Sequence, residues 1–236
     1  MKKRNGSVGG FSLVELLVGT VLFTIITGAV FSLLVSAQLR YRGESNVTQA
    51  FQQANVAIDQ IVRDVHSAGY PPANSFAAGV ALNNPNLVAL PFSWSTGYTN
   101  TPPTPCTVGG SCGAVPGEYD LIVETDLGNG VQWIRYSLQN GTLMRGVTRK
   151  VPVADPVTST DGALVPYLDN VINQAQSVPV FSYSFDKTPP PPLAAPKYIR
   201  EVNITLIVQS AQPDPQTQQF RTITLTGQAT RFNPNQ

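Results

Sequence analysis

The chain has 236 residues, of which only 12% are charged, and its formal net charge is +1. A typical soluble domain carries about twice that charged fraction, and so balanced a composition leaves no electrostatic footprint for a nucleic-acid partner. One histidine, His66, and two cysteines, Cys106 and Cys112, are too few to close a zinc site without carboxylates, so neither a metal nor a cofactor is expected.

Charge is unevenly spread. Lys2, Lys3 and Arg4 cluster at the start, and from Asn5 to Leu39 the sole charge is Glu15. Residues 11–37 are dominated by Leu, Val, Ile and Phe, with no proline. As a helix this run spans roughly 40 Å, more than the bilayer core of about 30 Å. Basic residues ahead of it predict a cytoplasmic tail and an exported remainder. A cleaved signal peptide could end at Val35-Ser36-Ala37, but the apolar run is much longer than the usual 7–15 residues. A plain signal anchor fits the length yet leaves Glu15 unexplained, although a carboxylate in a membrane segment costs about 3 kcal/mol and marks function by default.

Gly10-Phe11-Ser12-Leu13-Val14-Glu15 resembles the signal of type IV prepilins: a short basic leader, Gly, Phe, and Glu at the fifth mature position. The resemblance implies that residues 1–10 are a leader removed by a prepilin peptidase between Gly10 and Phe11. It also implies that the new Phe11 amine is methylated and that the apolar run is kept. Glu15 would then face the Phe11 amine of a neighbouring subunit, where a buried ammonium and carboxylate lower each other's desolvation cost.

Helical spacing continues over residues 38–68. Apolar residues recur at Val47, Phe51, Ala54, Ile58, Ile61, Val62 and Val65, in the three- and four-residue steps of one helical face. Gln, Asn, Arg63 and Asp64 fill the polar remainder, and Gly43 is a weak point within the helix. Gly69 and Pro71-Pro72 stop it. His66 near its end is expected to be solvated and to do no chemistry. The end, Arg63-Asp64 followed by Ala68-Gly69-Tyr70, resembles PilW-type minor pilins.

Residues 71–117 are rich in Pro, Gly, Asn, Ser and Thr, with one possible short strand from Leu87 to Phe92. Cys106 and Cys112, six positions apart in a Pro- and Gly-flanked loop of an exported chain, read as a local disulfide; free thiols and an interchain bridge are the alternatives. Tyr119–Thr125, Val131–Leu138 and Thr142–Val147 read as an antiparallel meander, turned at Gly128-Asn129-Gly130 and at Asn140-Gly141. A looser part runs to about Pro166, and Tyr167–Val171 is expected to be a turn or short helix. Val178–Asp186 is a strand, and Thr188–Pro192 a stiff extended connection. A long strand from Ile199 to Val208 has a phase slip near Arg200-Glu201, and the last strand lies within Gln219–Arg231.

Catalytic patterns are weak. Gly109-Gly110-Ser111-Cys112-Gly113 fits G-x-S-x-G, but in a proline-rich loop rather than a strand-to-helix elbow. Asp126, Gly128 and Asn129 lack the remaining spacing of a calcium loop and are explained by the hairpin turn. No enzyme is expected.

Tyr136-Ser137-Leu138 with Leu143-Met144-Arg145, Leu168-Asp169-Asn170-Val171 with Tyr183, and the closing Ala229-Thr230-Arg231-Phe232-Asn233 also resemble PilW-type minor pilins and the J pseudopilins of type II secretion. The resemblance implies an α+β pilin-like fold, with a long N-terminal helix packed on an antiparallel sheet. Residues 11–37 would form the transmembrane and filament-core half, and residues 71–236 a β-rich periplasmic or extracellular head. It further implies a structural minor subunit that partners other pilins through the helix, waits in the bacterial inner membrane, and joins a pilus at its priming or tip complex. A J-type pseudopilin is the alternative within the family, and a tip adhesin using residues 71–117 the alternative outside it.

Overall fold

The computed structural model describes residues 10, 12–77, 79–80, 87–93, 116–151, 159, 163–185 and 199–232. The fold is α+β: one long N-terminal helix, α1 (Leu13–Ser67), and two antiparallel sheets. The chain divides into two compact units, Met1–Ser45 with Pro213–Gln219, and Asn46–Gln212 with Phe220–Gln236.

In the first unit Gly43 does not break the helix, and its lack of a side chain has a use. A Cβ there would lie 3.4 Å from Asp214 Oδ2 and 3.6 Å from Pro215 Cδ. Asp214 itself holds a tight turn, accepting from the Gln216 amide at 2.8 Å.

In the second unit the expected meander is present. β1 (Asp120–Asp126), β2 (Val131–Gln139) and β3 (Thr142–Arg149) pair in sequence order. Asn140 (φ 50°) and Gly141 (φ 81°) make the two-residue turn that asks for positive φ at both positions. The residues considered as a calcium loop form the other turn: Asp126 Oδ1 accepts from the Gly128 and Gly130 amides at 2.7 and 3.0 Å.

Two local expectations are corrected. Val165–Leu168 is a strand, β4, at the edge of this sheet beside β3, not the tail of a loose segment followed by a turn. Pro166 suits an edge, where a missing N–H removes no ladder bond, and the pairing carries a bulge at Leu143/Met144. Leu87–Phe92 is not a strand; only Phe92 makes an isolated bridge, to Val123.

The second sheet is β5 (Phe181–Phe185), β6 (Ile199–Gln209) and β7 (Thr222–Thr230) in the order β5-β6-β7. The phase slip read near Arg200-Glu201 is a register shift: Ser184 pairs with Glu201 but Phe185 pairs with Ile199. The sheets are joined through Val171, which bridges to Val208, and Ile172, whose amide donates to the Ile207 carbonyl at 2.8 Å. Thr188–Pro192, Cys106, Cys112 and the 109–113 segment lie outside the described residues.

Ala50, Ala54, Ala57, Ile58, Ile61, Val65 and Ala68 of α1 form the buried stripe, packed in one core with Leu121, Val123, Ile134, Phe181, Val202, Ile204 and Ala229. The stripe is rotated from the expected one. Phe51 is 47% exposed while Ala50 and Ala57 are buried, because small residues let helix and sheet backbones come close. The tightest approach is at Gly227 of β7, where any Cβ would overlap Ile58 Cγ2. Gly69 ends the helix in the left-handed region (φ 79°), its amide donating to the Glu124 carbonyl at 2.8 Å.

Candidate functional site

Two features stand out: an apolar helical segment with no protein cover, and a set of buried polar ties behind the remainder of the helix.

The apolar segment lies within α1. Its most hydrophobic 18-residue window has a mean hydropathy of 2.3 and none of it is buried. Leu13, Phe23, Phe31 and Leu33 are 79, 71, 66 and 72% exposed, so the apolar surface runs around the helix rather than along one stripe. A helix apolar on all sides is one that something else must cover. This one is long and apolar enough to cross a membrane. Two of its hydroxyls are satisfied internally, as suits a lipid environment: Thr20 Oγ1 donates to the Leu17 carbonyl at 2.9 Å and Thr24 Oγ1 to the Thr20 carbonyl at 2.8 Å.

Glu15 sits in the first turn. Its Oε2 accepts from the Ser12 amide at 3.0 Å, while the Ser12 hydroxyl accepts from the Val14 amide at a long 3.4 Å. Ser12-Leu13-Val14-Glu15 therefore forms the carboxylate half of a capping box, and a negative charge there also suits the helix dipole. This local role was legible as S-x-x-E and was missed. Gly10 is exposed, and Phe11 lies outside the described residues.

The sequence placed Asp64 on the polar side of the helix, but the structure buries it at 3% exposure. Its Oδ2 accepts from the Tyr136 hydroxyl at 2.5 Å and from Arg145 Nη2 at 3.0 Å, and its Oδ1 from Gln60 Nε2 at 2.8 Å. Arg145 Nε donates to Tyr136 Oη at 2.9 Å, closing a triangle. Burial, then the adjacent Asp64 carboxylate, push the Tyr136 hydroxyl far above the ordinary tyrosine range. For Arg145, burial pulls downward, but Tyr136 and Asp64 outweigh it and the guanidinium is raised. The Asp64 charge is thus neutralised where it is buried, as such a charge must be.

A second tie surrounds Glu124, which is 2% exposed. Its carboxylate accepts from Lys150 Nζ at 2.6 Å, Ser93 Oγ at 2.8 Å, Trp133 Nε1 at 3.0 Å and the Leu90 amide at 3.0 Å. Four donors on one carboxylate anchor residues 90–93 to β1 and β2. Tyr183 is half-buried, and its hydroxyl donates inward to the Gly117 carbonyl at 2.7 Å; desolvation of that hydroxyl, then Asp120, raise it well above the usual range. His66 is half-buried, not bare, and its ring lies 4.5 Å from that of Phe232.

Residues singled out for family resemblance thus meet in space. Asp64, Tyr136 and Arg145 form the triangle, Leu168 and Val171 lie in the core, and Arg231 is buried. Each polar group in these clusters is directed at another protein group, an arrangement that locks helix to sheet. The long apolar helix on antiparallel sheets is compatible with a pilin-like fold. No protein-family model, no curated protein and no solved structure matches the chain.

Proposed function

We propose that the chain is a structural subunit of a type IV pilus-like filament, a minor pilin of the PilW type, acting without catalysis. The observation that carries this reading is the single helix Leu13–Ser67. It begins with an uncovered apolar segment holding one carboxylate in its first turn and continues into a stripe packed on β-sheets. A subunit that moves from membrane to filament needs such a segment, since its apolar surface is covered by lipid first and by neighbouring helices afterwards.

In this reading a prepilin peptidase cuts between Gly10 and Phe11, the Phe11 amine is methylated, and Glu15 exchanges its local amide bond for the amine of a neighbour. The pairing fixes axial register between subunits. The buried ties around Asp64 and Glu124 keep the head rigid while the helix is drawn out of the bilayer. The protein resides in the bacterial inner membrane before assembly and partners other pilins through the helix. The bulky, proline-rich head favours low copy at the priming or tip complex.

Mass spectrometry of protein purified from the producing cell tests the reading. A methylated Phe11 N-terminus and recovery in sheared filaments are expected. An intact Met1 or a Gln38 N-terminus would overturn it.

A further inference from the structure

Beyond assembly, the head carries a groove beside α1 whose lining has a definite chemical character. It has a volume of about 290 Å³ and is lined by Gln52, Gln53, Val56, Tyr167, Leu168 and Asp169. A smaller depression shares Gln53 and Asp169 and extends the polar lining to Asn46, Gln49 and Asn170. We propose that this groove binds a neutral, polyhydroxylated ligand, a segment of an oligosaccharide chain.

The lining carries the argument. A side-chain amide presents a donor and an acceptor side by side, so it can engage two adjacent hydroxyls at once. Gln49, Gln52 and Gln53 are exposed, so their amides are open to such hydroxyls. Among the described residues no basic side chain lines either depression, and the one charged lining group is the Asp169 carboxylate; Arg145 and Arg63 act on Tyr167 only from outside the lining. That combination repels an anionic ligand and gives a strong acceptor for sugar hydroxyls. Asp169 is already oriented, because its Oδ1 accepts from Thr142 Oγ1 at 2.9 Å.

The aromatic wall is also fixed. Tyr167 meets Tyr136 edge-on, with centroids 6.2 Å apart and planes at 65°, and Tyr136 is held by Asp64 and Arg145. A ring presents a negative face to C–H groups, which suits the apolar face of a pyranose. Val56 and Leu168 supply the remaining apolar surface. The volume lies at the low end for small-ligand sites, enough for one or two sugar units at a time. An extended peptide would want pockets for alternate side chains, and a continuous row of amides does not supply them.

The proposal stands apart from the filament reading, because it concerns the head of the unassembled chain. The test uses the full chain in a non-glycosidic detergent, titrated with neutral tetrasaccharides of glucose, galactose and N-acetylglucosamine. A tetragalacturonate and a neutral tetrapeptide serve as comparison probes, and saturation-transfer NMR reads the binding. At least one neutral tetrasaccharide is expected to saturate below about 10 mM. Gln53→Ala should weaken it roughly ten-fold, the upper range for one lost hydrogen bond, and Tyr167→Ala should weaken it by at least as much. Gln228→Ala, an exposed amide on β7, should leave it unchanged. Circular dichroism checks the Tyr167 variant, and the exposed Gln53 variant decides should that one misfold. The proposal is overturned if no neutral tetrasaccharide saturates, if the peptide or tetragalacturonate binds in its place, or if Gln53→Ala binds as tightly as the parent.

Discussion

The Tyr136 hydroxyl lies 2.5 Å from Asp64 Oδ2, 72 positions away in the chain, and so joins the middle of a β-sheet to the end of α1. The contact makes stability sensitive to alkali. Burial and Asp64 raise Tyr136 in the folded chain, whereas a free tyrosine ionises near 10.0. Above that value the unfolded chain gives up its proton first, so the folded state holds more protons and loses stability as pH rises. The contribution is fully present below pH 10 and fades above it. Tyr136→Phe should therefore flatten the alkaline loss between pH 8 and pH 11, with the remaining slope due partly to Tyr183, whose hydroxyl is also raised. At pH 8 it should cost about 1–2 kcal/mol for the lost hydrogen bonds, read from urea midpoints. A parallel alkaline slope in the variant would contradict the assignment.

Gly227 is required by contact, not by conformation. A Cβ would overlap Ile58 Cγ2, a branched methyl close to the helix backbone, with Val62 Cγ2 3.7 Å away. Gly227→Ala should destabilise by about 1–3 kcal/mol through overpacking. Ile58→Ala removes the obstructing methyl, so the double variant should be more stable than the sum of the single effects. Additive melting data would rule the contact out as the cause.

Glu124 and Lys150 form a pair with side chains 2 and 13% exposed. Lys150→Met leaves a buried carboxylate with neutral donors alone and should cost about 3–5 kcal/mol. Replacing both, with Glu124→Gln and Lys150→Met, should recover part of that loss. Chemical denaturation of the four proteins in the cycle measures it.

Two substitutions separate the local role of Glu15 from the intersubunit role proposed for it. Glu15→Gln keeps a carbonyl oxygen for the Ser12 amide but removes the charge. If the carboxylate pairs with a neighbour's amine, this variant retains helicity by circular dichroism and fails to enter filaments. Ser12→Ala should leave filament entry intact and loosen only the first turn. Equal filament entry for Glu15→Gln and parent would reduce Glu15 to a cap.

Much of the fold could be read from local pattern. The helix, the meander, the Asn140-Gly141 turn and the slip near Arg200 all follow from period, turn residues and β-branching, which act over a few positions. Sequence reading failed where tertiary packing overrode polarity. Asp64 looks like a surface residue beside Arg63, and only Tyr136 and Arg145 arriving from distant strands explain its burial. Phe51 fits an apolar helical period, yet the sheet approaches the neighbouring alanines instead. Leu168 sits in an edge strand where the local pattern indicates a turn or short helix. At the helix start the carboxylate was found by its isolation, but its bond to Ser12 was overlooked for a more distant partner. The groove lining is drawn from residues 52–56 and 167–169, two segments more than 100 positions apart that nothing in the local pattern joins.

The approach of Gly227 to Ile58 also sets an order of events during synthesis. The two residues are 169 positions apart. At translation rates of about 5–20 residues per second, the helix emerges on the order of 10–30 s before the strand that closes over it. Throughout that interval the stripe can close on β1, β2, β5 and β6 but lacks the cover of β7 at Ile58, and a nascent chain stalled before β7 leaves that part open. A bilayer that held the apolar segment would fix one end of the helix while the remainder waits for its last strand.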